Sequence, residues 1–225
     1  MYKIGLKRVF DFCCALLALI VLSPFLLIFM ILGAVFMGGN PFFTQPRPGK
    51  DEKIFKLIKF RTMDNRTDGN GNLLPDEVRL NKYGRFLRST SVDELPELIN
   101  ILKGDMAVIG PRPQLVRDMV FMTDEQRKRH TVRPGLSGLA QVNGRNVITW
   151  EDKLAWDLKY IENITFLGDV SIILQTIGKV LKRADINREG TASDMDFGDY
   201  LLERGMVSKD EYEARQAEAK ELLGV

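Results

Sequence analysis

"FCCALLALIVLSPFLLIFMILGAVFM", residues 12–37, carries no charge in 26 positions, and its reading decides the fold. At about 1.5 Å per residue, a straight helix of that length outreaches the roughly 30 Å hydrocarbon core of a bilayer. Pro24 interrupts the pattern. It has no N–H and its ring crowds the carbonyl of Ile20, so a kink or break is predicted there, with the Ser23 hydroxyl available to the freed carbonyl. Residues 12–22 and 25–37 are each too short to span alone.

Basic residues flank the run on both sides: Lys3, Lys7 and Arg8 before it, and Arg47, Lys50, Lys53, Lys56, Lys59 and Arg61 after it. The positive-inside tendency places both groups in the cytoplasm. The expectation is a re-entrant helix-break-helix hairpin over residues 1–37, with Lys7 and Arg8 at the membrane surface and Ser23-Pro24 at the turn. A kinked spanning helix is the alternative. A cleaved signal peptide fits less well, because the apolar run exceeds the usual 7–15 residues or so.

Residues 38–183 suffice for one domain, and residues 184–225 read as a linker followed by a helical pair. The formal charge of +2, from 32 basic and 30 acidic residues, argues against nucleic-acid binding by bulk charge. Cys13 and Cys14 are the only cysteines and His130 the only histidine, which excludes thiolate clusters and paired-histidine metal sites. Carboxylates and cationic side chains must carry any chemistry. Residues 47–61, "RPGKDEKIFKLIKFR", interleave basic and apolar side chains, as an element lying on an anionic membrane does, or an amphipathic one packed on its own core.

The pattern predicts a mainly α protein with a small β element (α+β). "KIFKLIKFRTM" is a short strand or an interfacial helix. Helices are expected over "VRLNKYGRFLR", over "ELPELINILK" ending at Gly104, over about 115–130, and over "WEDKLAWDLKYIEN" and "DVSIILQTIGKVLKR", the last amphipathic. In the tail two helices meet near Gly205, and Ser208 caps the second.

In "RSTSVDELPELINILKGDMAVIGPRP", residues 88–113, Asp93 and Glu94 stand together at a helix start. There the partial positive charge of the helix end lowers carboxylate pKa values and keeps Asp93 ionised. Ser91-x-x-Glu94 also reads as a capping box, whereas Pro96 favours a later start that leaves both acids on a loop. Arg88, Arg112, Arg133 and Arg145 sit beside turn residues suited to phosphate, and "GLSGLAQVNGR" offers backbone N–H groups for close approach. Together these suggest a diphosphate substrate and a divalent cation such as Mg²⁺, which needs only one or two carboxylates plus phosphate oxygens.

The ordered set "LKRVFD", "PFFTQPRPG", "KIFKLIKFRTM", "DELPELINILKGDMAVIGPRP", "RPGLSGLAQVNGR" and "WEDKLAWDLKYIEN" resembles the bacterial sugar transferase family, the small monotopic phosphoglycosyltransferases, from about residue 4 to 183. The likeness is greatest to members that begin bacterial N-linked protein glycosylation. The resemblance implies transfer of a phosphosugar from a UDP-sugar, of an N-acetylated or diacetamido hexose, to a polyprenol phosphate at the cytoplasmic membrane face. It makes Asp93 the nucleophile and Glu94 the metal or proton partner, with either acid a candidate Mg²⁺ ligand. Lys59, Arg112 and Arg145 then hold phosphates, Asp157 orients one of them, Arg88 meets the lipid phosphate, and Arg133 and Gln141 join the substrate contacts. Glu97, where "DELPQL" is commoner, reads as a surface change. A non-catalytic scaffold and a lipid-phosphate hydrolase are the rival functions. The tail resembles a short bacterial oligomerisation motif, so self-association through residues 197–223 is expected.

Overall fold

In the computed structural model, which describes residues 2–144, 148–182 and 195–224, the apolar stretch forms one helix, α1 (Lys7–Phe36), with Pro24 inside it. The missing N–H of Pro24 leaves the Ile20 carbonyl without its helical donor, and Ser23 Oγ donates to that oxygen at 2.8 Å. This local repair carries the helix past the proline, so the expected break into two helices does not occur. Among the described residues α1 is the one helix long and apolar enough to cross a membrane, and only Asp11, Ala15 and Gly33 within it are buried.

The chain then folds into a hairpin of β1 (Phe42–Pro48) and β2 (Ile54–Phe60), with Phe42 opposite Phe60 and Pro48 opposite Ile54. Pro46 and Pro48 are tolerated because each strand of a two-stranded sheet keeps a free edge. Next come α2 (Asp76–Arg79), α3 (Lys82–Thr90) and α4 (Glu97–Lys103), the last stopped by Gly104 at φ 96°. Strands β3 (Ala107–Ile109) and β4 (Gly135–Ser137) pair in parallel. Their crossover holds two one-turn helices, α5 (Val116–Met119) and α6 (Asp124–Arg127), where the sequence predicts one longer helix. The chain continues through α7 (Leu139–Val142), α8 (Trp150–Glu162) and α9 (Phe166–Lys182) to the tail helices α10 (Phe197–Glu203) and α11 (Lys209–Leu223). The fold is mainly α with two small sheets.

Three apolar clusters organise it. Ala15 of α1 meets Leu57, Leu98, Ile101 and Met106, so the 47–61 segment is a strand pair packed on α4 rather than a free amphipathic surface. Ile109, Val142, Tyr160 and Ile172 join β3 to α8 and α9. The third cluster sets Val116, Phe121, Trp150 and Leu154 against Phe197, Leu201 and Ala219 of the tail. Tyr212, Arg215, Gln216 and Ala219 recur at helical spacing on the inward side of α11, while Lys209, Asp210, Glu213 and Glu221 are exposed. Phe197, Leu201 and Ala219 of the segment expected to self-associate are thus packed on the chain's own domain.

Lys7 and Arg8 act as struts within the chain. Arg8 donates to the carbonyls of Ile101 and Leu102 at 2.6 and 2.8 Å, answering orphan acceptors at the C-terminus of α4. Lys7 pairs with Asp11 at 3.3 Å and with fully buried Asp169 at 2.7 Å, carboxylates that burial would otherwise leave uncompensated. The far end of α1 is tied to the same domain. Tyr83 of α3 donates to the Phe29 carbonyl at 2.7 Å, and its ring stacks on Phe36.

Candidate active site

Ser91, which ends α3, adopts a left-handed backbone at φ 56° and makes no side-chain cap, so the capping box is not formed. Left-handed backbone at a non-glycine residue is uncommon, and here it turns the chain sharply into a single 3₁₀ turn, Val92–Glu94. Pro96 caps α4 and leaves both acids on the connection, as its position in the sequence implies. Asp93 and Glu94 thereby line a cavity of about 790 Å³.

Opposite them stands Lys59 on β2. Its ammonium lies 3.0 Å from Glu94 Oε1 and 3.1 Å from Glu97 Oε1, and Arg112 Nη2 reaches the same Glu94 oxygen at 2.6 Å. Glu97 is not a surface residue; its side chain is 2% exposed. Asn100, wholly buried, fixes this arrangement by accepting from Ile58 N at 3.0 Å and donating to the Lys56 carbonyl at 2.8 Å, which clamps β2 to α4.

The electrostatics run against the sequence expectation for Asp93. Desolvation, helped by the neighbouring Glu94 charge, pushes its carboxyl up, and Lys59, Arg112 and Arg88 only partly offset this. Burial likewise raises Glu97, against the pull of Lys59. Burial opposes the charge on Lys59, but Glu94 and Glu97 outweigh it and its pKa is raised. Arg112 is raised, chiefly by Glu94. Burial dominates at Asp93 because a 3₁₀ turn of three residues offers little of the dipole that a long helix end would.

Arg88 lines the cavity and donates from Nε to Thr62 Oγ1 at 3.1 Å. Gln141 also lines it; its Nε2 donates to the Leu136 carbonyl at 3.2 Å, and its buried Oε1 has no partner among the described residues. Asp157 is buried at the cavity wall. It holds Arg129 through bonds of 2.9 and 2.6 Å, and Arg129 Nη2 in turn donates to the Arg112 carbonyl at 2.6 Å. Asp157 thus orients Arg112 through a buried arginine that the sequence does not single out from the charged run around it. Its second oxygen, Oδ1, is buried without a partner. Arg145 lies outside the described residues.

Arg133 is not among the cavity residues: its Nε donates to the Gly104 carbonyl at 2.7 Å, closing the end of α4. Gly135, the first glycine of the run, likewise serves packing. Gly135 N donates to the Pro111 carbonyl and Gly110 N to the Ser137 carbonyl, each at 2.9 Å, and a Cβ at Gly135 would meet Gly110 N at 2.1 Å. Of the run's backbone N–H groups, that of Gly135 is thereby consumed between the strands rather than offered to a phosphate.

Among the described residues no three His, Cys, Asp or Glu side chains converge on a metal position. Of the carboxylates lining the cavity, the adjacent Asp93 and Glu94 are the donor pair, and one Glu94 oxygen is already shared by Lys59 and Arg112. That suits Mg²⁺, which takes its other ligands from phosphate and water.

A family model described as bacterial sugar transferase matches residues 2–183. The chain belongs to that family. This transferase is similar to the uncharacterized sugar transferase EpsL of Bacillus subtilis, at 47% identity over 78% of the chain and 87% of the relative. It is 34% identical to the undecaprenyl-phosphate galactose phosphotransferase of Salmonella typhimurium and 36% to the UDP-galactose-lipid carrier transferase of Erwinia amylovora. Each of those two alignments covers 79% of the transferase but 41% of the relative, so the chain matches under half the length of either. None of the three names concerns N-linked protein glycosylation. The tail helices lie beyond the family match.

Proposed function

We propose that the chain moves a sugar phosphate from a UDP-sugar to a polyprenol phosphate at a membrane surface, releasing UMP, through a covalent Asp93 intermediate. The observation that carries this reading is the placement of Asp93 on a tight turn, in a cavity whose lining includes the cations Lys59, Arg88 and Arg112. Substrate names of the relatives, a UDP-sugar in one and undecaprenyl phosphate in another, accord with it.

The Asp93 carboxylate attacks the phosphorus that bears the sugar and UMP leaves; an oxygen of the lipid phosphate then attacks the same phosphorus and frees Asp93. One difficult displacement becomes two easier ones. Lys59 and Arg112 balance charge on the phosphates, and Arg129 with Asp157 holds Arg112 in place. Bound Mg²⁺, held by the Asp93–Glu94 pair, would supply further neutralisation of phosphate charge.

The lipid substrate requires the cavity to sit at a bilayer surface, and α1 supports this. About 21 residues, or roughly 32 Å of helix, separate Arg8 from Phe29, yet both contact one domain. A straight crossing would draw that domain into hydrocarbon, so both ends of α1 belong at one face, the cytoplasmic one by their flanking charge. Leu167, Leu174, Ile177 and Leu181 form an exposed apolar stripe along α9 that suits the same interface. In this reading Arg88, on the helix whose Tyr83 and Phe86 rings contact α1, meets the lipid phosphate.

Incubation with a UDP-sugar panel and Mg²⁺ without lipid tests the mechanism. Up to one UMP per enzyme should be released, with one sugar phosphate on the Asp93 peptide. An adduct on Glu94, or no burst in an enzyme that turns over with lipid, would exclude it.

A further inference from the structure

The tail outside the family match is part of the cavity. Met195 and Asp196, which lead into α10, line the same space as Asp93 and Arg112. Four anchors hold them there. Trp150 Nε1 donates to the Met195 carbonyl at 3.0 Å, and the Trp150 ring lies 5.0 Å from that of Phe197. Buried Asp118 accepts from Phe197 N at 2.9 Å, and Arg117 pairs with Asp196 Oδ2 at 3.0 Å.

Resting on the function proposed above, we infer that Met195 and Asp196 form a selectivity wall for the neutral, hydrogen-bond-donating part of the nucleotide sugar. Cations line the cavity on every side, Arg47 and Lys153 near the tail included, and Asp196 is the carboxylate that the tail adds to it. Lys59, Arg88 and Arg112 suit phosphate, whereas a carboxylate repels it and accepts hydrogen bonds from hydroxyl or N–H groups. The pair with Arg117 fixes the Asp196 carboxylate and leaves one of its oxygens outside that pair. Met195, held by its backbone carbonyl, adds an adaptable apolar side chain to the cavity lining, suited to the face of a sugar. A wall contributed by a segment that the family match does not include lets one chemical core accept a different sugar.

The test uses the full chain in nanodiscs, with Asp196→Asn, Asp196→Ala and Met195→Ala. UDP-glucose, UDP-galactose and UDP-N-acetylglucosamine are scored by UMP release and, independently of turnover, by calorimetric binding. Loss of a charge-assisted hydrogen bond should weaken the best substrate by about tenfold in KM and in Kd for Asp196→Ala, with kcat within about threefold and the ranking of the three sugars changed. Product inhibition by UMP locates the contact: unchanged inhibition supports a wall at the sugar, and weakened inhibition with the sugar ranking unchanged overturns it. Unaltered Kd and ranking in folded variants overturns the inference. So does an equal loss for all three sugars that tracks a lowered melting temperature, since that is the signature of a merely structural role. A wild-type enzyme that binds these nucleotides but releases no UMP would count against the proposed reaction and not against the wall.

Discussion

Asp93 shows how far a single residue can be read from sequence. Its place beside Glu94 was legible; its ionisation was not, because the helix start that would lower its pKa is a three-residue turn and the surroundings desolvate it. A raised carboxyl that must be ionised to attack predicts that the UMP burst rate falls on acidification well above the ordinary carboxylate range near 4. A pH–rate profile checks this, and a burst unchanged down to about pH 4.5 would contradict it. Asp93→Asn should lose turnover by orders of magnitude, since an amide is a poor nucleophile and losing the covalent path forfeits much of a total barrier reduction typically of roughly 8 kcal/mol or more. Glu97 makes a second pH prediction. Its folded pKa lies above its unfolded value of 4.5, so its favourable contribution is complete below 4.5 and is lost as pH rises toward neutrality. Glu97→Gln should flatten the decline of melting temperature across that window; each ~1 kcal/mol corresponds to about 2–4 °C in a domain of this size. Variant and wild type with parallel slopes would show that Glu97 does not titrate there.

Elements whose ends are set by local chemistry were readable. Gly104 stops α4, Thr149 caps α8 and Ser208 caps α11, each through a contact within a few residues. What escaped was contact made at long range. Asn100 looks like an ordinary polar position on a helix, Arg129 like one charge in a run, and the glycines of "RPGLSGLAQ" like a phosphate loop; their partners are many residues away. Gly135→Ala should therefore damage folding before chemistry. Its Cβ would press into the Gly110 backbone, and overpacking of this kind typically costs about 1–3 kcal/mol. Thermal unfolding would show a lowered midpoint, whereas a stable variant that binds UMP weakly would return the loop to phosphate recognition. At α1 the repair at Ile20 depends on Ser23 and Pro24 together. Cysteines placed at Lys3 and Lys50 should both resist an impermeant reagent applied outside intact cells; labelling of either would place the ends of α1 on opposite faces.

At the scale of the whole molecule, the division at residue 184 read from the sequence does not describe the packing. Composition shifts there, but Phe197, Leu201 and Ala219 complete the cluster around Phe121, Trp150 and Leu154. Burying side chains such as Phe197 and Leu201 contributes about 1.5–3 kcal/mol each, against a total stability of roughly 5–15 kcal/mol for an ordinary domain. Arg215 adds a bond to the Val120 carbonyl at 2.8 Å, and Arg117 is bound by Asp196 and Asp199. A chain ending at Lys182 should accordingly melt at least several degrees lower and, with its apolar cluster opened to water, associate more rather than less in detergent. Sequence alone favours the opposite result, a stable truncation that loses an oligomer contact. Differential scanning calorimetry with mass measurement in nanodiscs separates them: an unchanged midpoint with a smaller particle supports the oligomerisation motif, and a lowered midpoint with a larger particle supports the docked tail. Arg215→Ala, which loosens the tail without touching the cavity, should fall between wild type and truncation in melting temperature.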